Sequence, residues 1–178
     1  MTNRRRQRVA RIRGPEQYVL PSRPPESAGD QVLDAYRQTR FVLGNDVELF
    51  AETMDLQLAL LADANPATSS QYRTPELAAI SALWSRAYAA LSDAMLLISR
   101  GSYASTLALV RTACETIAAE EGLRSGEMDQ HHEWLGSTLQ PDEKHKAFEF
   151  HIGRYFAGGV LFRDDVLRGV YRPASDLG

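Results

Sequence analysis

Residues 75 to 121 read PELAAISALWSRAYAALSDAMLLISR, then Gly101, then SYASTLALVRTACETIAAEE. That pattern predicts a helical hairpin. Leu77, Ile80, Trp84, Ala87, Leu91, Met95 and Ile98 recur at steps of three and four, and Leu83, Ala90 and Leu97 widen them into a broad apolar face. Thr74 and Pro75 supply an N-cap and a first-turn proline. Arg100-Gly101 is a stop signal, with glycine suited to a left-handed turn, and Ser102 can cap the next helix. Tyr103, Leu107, Val110, Cys114 and Ile117 continue at helical spacing. The intervening loop is short enough to force antiparallel packing.

A second line on the same helix runs Ala104, Ala108, Arg111, Glu115, Ala118. Small residues at those steps admit another helix at close range and would set Arg111 and Glu115 against it. An arginine four residues before a glutamate shares its face, in the less favourable order for an exposed pair. Two readings follow. The pair is an ion pair that fixes helix register, or it is a polar site whose guanidinium binds an anion or whose carboxylate serves as a base.

The rest of the chain packs around this hairpin. Leu33, Tyr36, Leu43, Val47, Phe50, Met54, Leu58 and Leu61 form one stripe, which predicts one long helix or two in line broken near Gly44, ending at Asn65-Pro66. Beyond Gly126, Met128, His132, Leu135 and Leu139 suggest a short helix. Pro141 opens another that carries Phe148, Ile152, Tyr155 and Phe156 and ends at Gly158-Gly159, and a last turn or two holds Val166, Leu167 and Val170 before Pro173. No stretch alternates with period two. The fold class expected is therefore all-α, an antiparallel helical bundle of about four to six helices, with residues 27–178 as its single domain.

Residues 1–26 form a basic, proline-rich arm and linker. The first 25 residues hold seven arginines against Glu16, so the remainder carries a net charge near −9 of the formal −3 total. The arm is expected to be disordered, to fold back on the acidic body, or to touch RNA or another anionic partner. At 178 residues with 44% hydrophobic and 24% charged content the chain matches a soluble globular domain, and no apolar run approaches a membrane span. The N-terminus lacks the apolar core of a secretory signal, so a cytoplasmic location is expected. The lone Cys114 then reads as a small core residue in a reducing compartment.

Four histidines, His131, His132, His145 and His151, fall in one window near several acids. Their spacing lacks His-x-x-x-His or paired Glu-x-x-His motifs, so neither a metal site nor a cofactor is expected. Glycine-rich phosphate loops, nucleophile elbows and Cys-x-x-Cys pairs are absent from the sequence.

The segment Ser85–Glu121, with Gly101, Tyr103, Ala108-Leu109-Val110-Arg111-Thr112 and Glu115, resembles the core of bacterial helical domains distantly similar to the HEPN superfamily. Their pattern is a helix, a glycine turn with a nearby aromatic, then Ala-Leu-x-Leu-x-Arg-(Ser/Thr)-x-x-Glu. The resemblance implies a helical bundle, often a homodimer, and adds Tyr103 to Arg111 and Glu115 as a candidate ligand-binding residue. Many HEPN proteins are toxin or defence ribonucleases with an Arg, four to six residues, then His, and Arg124 and His131 match that gap. The expectation is a non-catalytic interaction or stress/defence module. The alternatives are a metal-independent ribonuclease using Arg124 and His131, and a small-anion-binding bundle centred on Arg111.

Overall fold

The computed structural model describes residues 17–64, 75–124 and 158–177. Among these residues every regular element is helical. A 3-10 turn at Glu26–Ala28 leads into α1 (Asp30–Leu43) and α2 (Asp46–Ala64), followed by α3 (Pro75–Ile98), α4 (Tyr103–Arg124), α5 (Gly158–Arg163) and α6 (Asp165–Asp176). The helical bundle expected from the apolar spacing is thus the fold.

The α3–α4 hairpin is its centre. Gly101 takes φ 79 and donates its amide to Ile98 O at 3.1 Å, while Ser102 N reaches Leu97 O at 2.9 Å. This paired closure bonds the Leu97 and Ile98 carbonyls at the C-terminal end of α3 and turns the chain back at once. A Cβ on Gly101 would also meet the Ala35 Cβ at 3.0 Å, because α1 lies across the turn. The buried residues of the hairpin are mostly small. Ala87, Ala90 and Ala94 on α3 and Ala113, Thr116, Ala118 and Ala119 on α4 are all buried, which lets the two backbones come close. Buried hydroxyls are used within their own helices: Ser99 donates to Met95 O at 2.7 Å, Thr106 to Ser102 O at 3.0 Å and Thr116 to Thr112 O at 2.7 Å.

On one side of α3 lie α1 and α2, antiparallel to it. Thr39 Oγ1 donates to Ile98 O at 3.2 Å, and further along Gln57 Nε2 donates to Trp84 O at 3.2 Å. As the α1–α2 numbering rises the α3 numbering falls, so the two short helices run in line, broken at Gly44 with φ 48. Leu33, Val47 and Met54 of the expected stripe are buried, and the rest of it is partly buried.

The proline-rich stretch from residue 17 is irregular, as expected, yet its packed part begins before Ser27. The Tyr18 ring stands edge-on to Phe50 at 5.6 Å and to Tyr88 at 6.2 Å, and its amide donates to Asp55 Oδ1. Residues 1–16 lie outside the described residues.

On the far side of α4 sit α5 and α6. Gly158 and Gly159 are the first residues of α5, and the helix they are expected to close lies outside the described residues. One expectation is corrected here. The last helix extends through Pro173, with Asp164 as its cap accepting from Val166 N and Leu167 N at 2.9 Å each. Its packed face is Leu167, Tyr171 and Ala174, whereas Val166 and Val170 point to solvent. Docking of that face onto Cys114, Ala118 and Leu161 outweighs the amide lost at Pro173. The helices expected around His132 and Phe148 fall outside the described residues.

Candidate functional site

The charged pair anticipated on α4 meets α6. Arg111 Nε donates to Glu115 Oε1 at 3.0 Å, one helical turn away. Tyr171 OH donates to the same oxygen at 3.0 Å, and the Arg111 guanidinium carbon lies 5.7 Å from the Tyr171 ring centroid. Three side chains from two helices therefore close on one another. The small-residue line does admit a neighbouring helix, as expected, although Ala104 and Ala108 at its start remain exposed.

The pair is not buried among alanines. Arg111 is 46% exposed and Glu115 23%. The Glu115 hydrogen bond, with help from Tyr171, raises the Arg111 pKa above its ordinary value, so the guanidinium is held charged. An ion pair this open is screened by water and contributes under about 1 kcal/mol by itself. Beneath it, Cys114 is buried beside Leu83 and Leu161. Burial first, then the Glu115 charge, pushes its thiol pKa up, which keeps it protonated and unreactive. A core role fits that environment.

Chemically the cluster is self-contained. Glu115 Oε1 already accepts two hydrogen bonds, one from Arg111 and one from Tyr171. The Arg111 charge is matched at 3.0 Å, which leaves little net field for an anion.

The other candidates are not gathered here. Tyr103 is half-exposed at the start of α4, eight residues before Arg111 and so about 12 Å along the axis. Arg124 is the last residue of α4. His131 lies outside the described residues, as do the other histidines. Among the described residues no three His, Cys, Asp or Glu side chains cluster as metal ligands would, and no helix is long and apolar enough to cross a membrane.

Sequence reasoning missed Tyr171. Its signal was the spacing Leu167, Tyr171, Ala174, steps of four and three that Pro173 obscured by suggesting the helix had ended. Comparison of the chain with protein-family models, with curated proteins and with solved structures returns no match.

Proposed function

We propose that this chain is a non-catalytic interaction module of the stress/defence kind suggested by its HEPN-like hairpin, working as a homodimer through the outer face of α1 and α2. The observation that carries this reading is a second apolar stripe. Phe41, Val42, Leu49, Leu56 and Leu60 are between 45% and 87% exposed. At about 100° per residue, Leu49, Leu56 and Leu60 fall within about 40° of one another, on the opposite side of α2 from buried Val47 and Met54. A row of large apolar side chains facing water is the usual mark of a contact surface.

Its geometry suits a second copy. Leu49 and Leu56 stand two helical turns apart on α2. In an antiparallel pair with its two-fold axis midway between them, Leu49 of each copy meets Leu56 of the partner subunit.

Sedimentation velocity on the full chain tests the reading. A dimer is expected, converted to monomer by Leu49→Glu or Leu56→Glu with helicity by circular dichroism unchanged. A wild-type chain that stays monomeric across the micromolar range would overturn it. RNA turnover that is lost on His131→Ala would put the ribonuclease reading in its place.

A further inference from the structure

The α1–α2 layer is hydrogen-bonded to α3 at two separate levels, by Thr39 at Ile98 O and by Gln57 at Trp84 O. Between those levels the link is made by a residue that belongs to neither helix. Tyr18 sets its ring edge-on to Phe50 of α2 at 5.6 Å and to Tyr88 of α3 at 6.2 Å. Its amide donates to Asp55 Oδ1 on α2, and the Ser92 side chain of α3 hydrogen-bonds its hydroxyl. Tyr18 is thus a wedge tied to both helices at once.

The segment that carries the wedge is otherwise loosely held. None of residues 17–29 is buried; Tyr18, Leu20, Pro21 and Pro24 are half-buried, and Val19 is 79% exposed. Among the described residues, the hydrogen bonds that join residues 17–25 to the helices are all made by Tyr18. Tyr18 lies eleven residues before Gly29, a span of about 36 Å when extended. Phe50 lies twenty residues beyond Asp30, about 30 Å along helices that run in line. The segment therefore uses most of its reach to run back beside α1 and the start of α2, with no slack to seat elsewhere. Pro21, Pro24 and Pro25 stiffen it, and Pro25 itself is extended at φ −64 and ψ 155. A stiff tether loses little freedom when its anchor seats. One aromatic anchor on a stiff and exposed tether can leave its seat and return to it.

We infer that Tyr18 is a releasable latch between the α1–α2 layer and the α3–α4 hairpin, and the positioning residue for the outer stripe of α2. Seated, it holds α2 in the pose that presents Leu49, Leu56 and Leu60 together. Unseated, it leaves Phe50 and Tyr88 without their shared neighbour, and α1–α2 opens from the hairpin as a unit. The hairpin has no part in that opening, because its own small buried faces hold α3 to α4. Control of pairing by the latch rests on the self-association reading above, whereas opening of the layer stands apart from it.

The test compares the full wild-type chain with Tyr18→Ala, Tyr18→Phe and Asp55→Ala. Amide hydrogen exchange read by mass spectrometry follows α1–α2 and α3–α4 separately, and sedimentation velocity gives the dimer dissociation constant. In Tyr18→Ala, exchange throughout α1 and α2 should speed up together, ten-fold or more, with α3–α4 unchanged and the dimer weakened by a similar factor. Tyr18→Phe keeps the ring contacts and should stay within a few-fold of wild type in both readouts. Asp55→Ala removes the acceptor of the Tyr18 amide and leaves the rings in place, and a several-fold rise in exchange confined to α1–α2 is expected.

Exchange in α1–α2 that ignores both Tyr18→Ala and Asp55→Ala overturns the latch. So does exchange that rises equally in α3–α4, since Tyr18 would then be one more contact of a single cooperative core. Faster exchange in α1–α2 with an unchanged dimer constant overturns the positioning role and leaves self-association intact. A wild-type chain that stays monomeric removes the self-association reading, and the exchange pattern alone then decides the latch.

Discussion

Arg111 and Glu115 stand one turn apart on α4 in an order that adds little to an isolated helix, and half-exposure reduces the pair's worth further. Tyr171 gives the arrangement its purpose. Its hydroxyl shares the Glu115 oxygen and its ring borders the guanidinium, so a local ion pair becomes a link between α4 and α6. Replacing Tyr171 by Phe keeps the packed ring and deletes the hydroxyl. A loss of about 0.5–1.5 kcal/mol in urea unfolding is expected. Urea curves unchanged from wild type would show that the link is incidental.

At the scale of elements, α6 is held against its own sequence. Pro173 sits inside the helix, removes an amide and crowds the preceding turn. The helix forms because Asp164 satisfies its first amides and because Leu167, Tyr171 and Ala174 bury against the hairpin. Pro173 is itself exposed, so its replacement opens no cavity. Pro173→Ala should therefore raise stability, by up to about 3 kcal/mol, read as a higher denaturant midpoint. A midpoint that falls would mean that the bend proline imposes is needed for docking. The hairpin shows the opposite balance, since Gly101, the small buried faces and the intrahelical hydroxyl bonds all favour the same turn.

At the scale of the molecule, the described helices stand in a row: α1–α2 beside α3, α3 beside α4, and α4 beside α5 and α6. Both outer layers lean on the hairpin, and Tyr18 straps the first layer to it. Three titrating groups along this row shift in one direction. Burial raises the pKa of Cys114, Tyr18 and Tyr88 above their ordinary values. Below those ordinary values both folded and unfolded chains keep the proton, and the groups have no effect on stability. As pH rises past them the unfolded chain loses its protons first, so stability is lost toward the higher folded values. Urea midpoints at one protein concentration should thus hold steady near neutral pH and decline from the thiol range into the phenol range. Cys114→Ala should remove the earlier part of that decline, and a flat profile through both ranges would contradict the burial of these groups.

The residue pattern by itself determined that the chain is a helical bundle, where the hairpin turns, and that Arg111 and Glu115 share a face, and it left α1 and α2 as either one long helix or two in line broken near Gly44. These are local matters, set by periodicity of 3.6 and by one glycine that can adopt positive φ. Tertiary structure decided the rest. α4 buries Cys114 of the expected stripe together with Ala113, Thr116, Ala118 and Ala119, with Ile117 and Tyr103 turned outward, because a helix of small residues offers several faces of nearly equal apolarity and only the neighbours choose among them. The second stripe of α2 escaped for a similar reason, since apolar residues on two sides blur any single period. The Glu115–Tyr171 bond joins residues 56 apart in sequence, and no local pattern encodes so distant a contact.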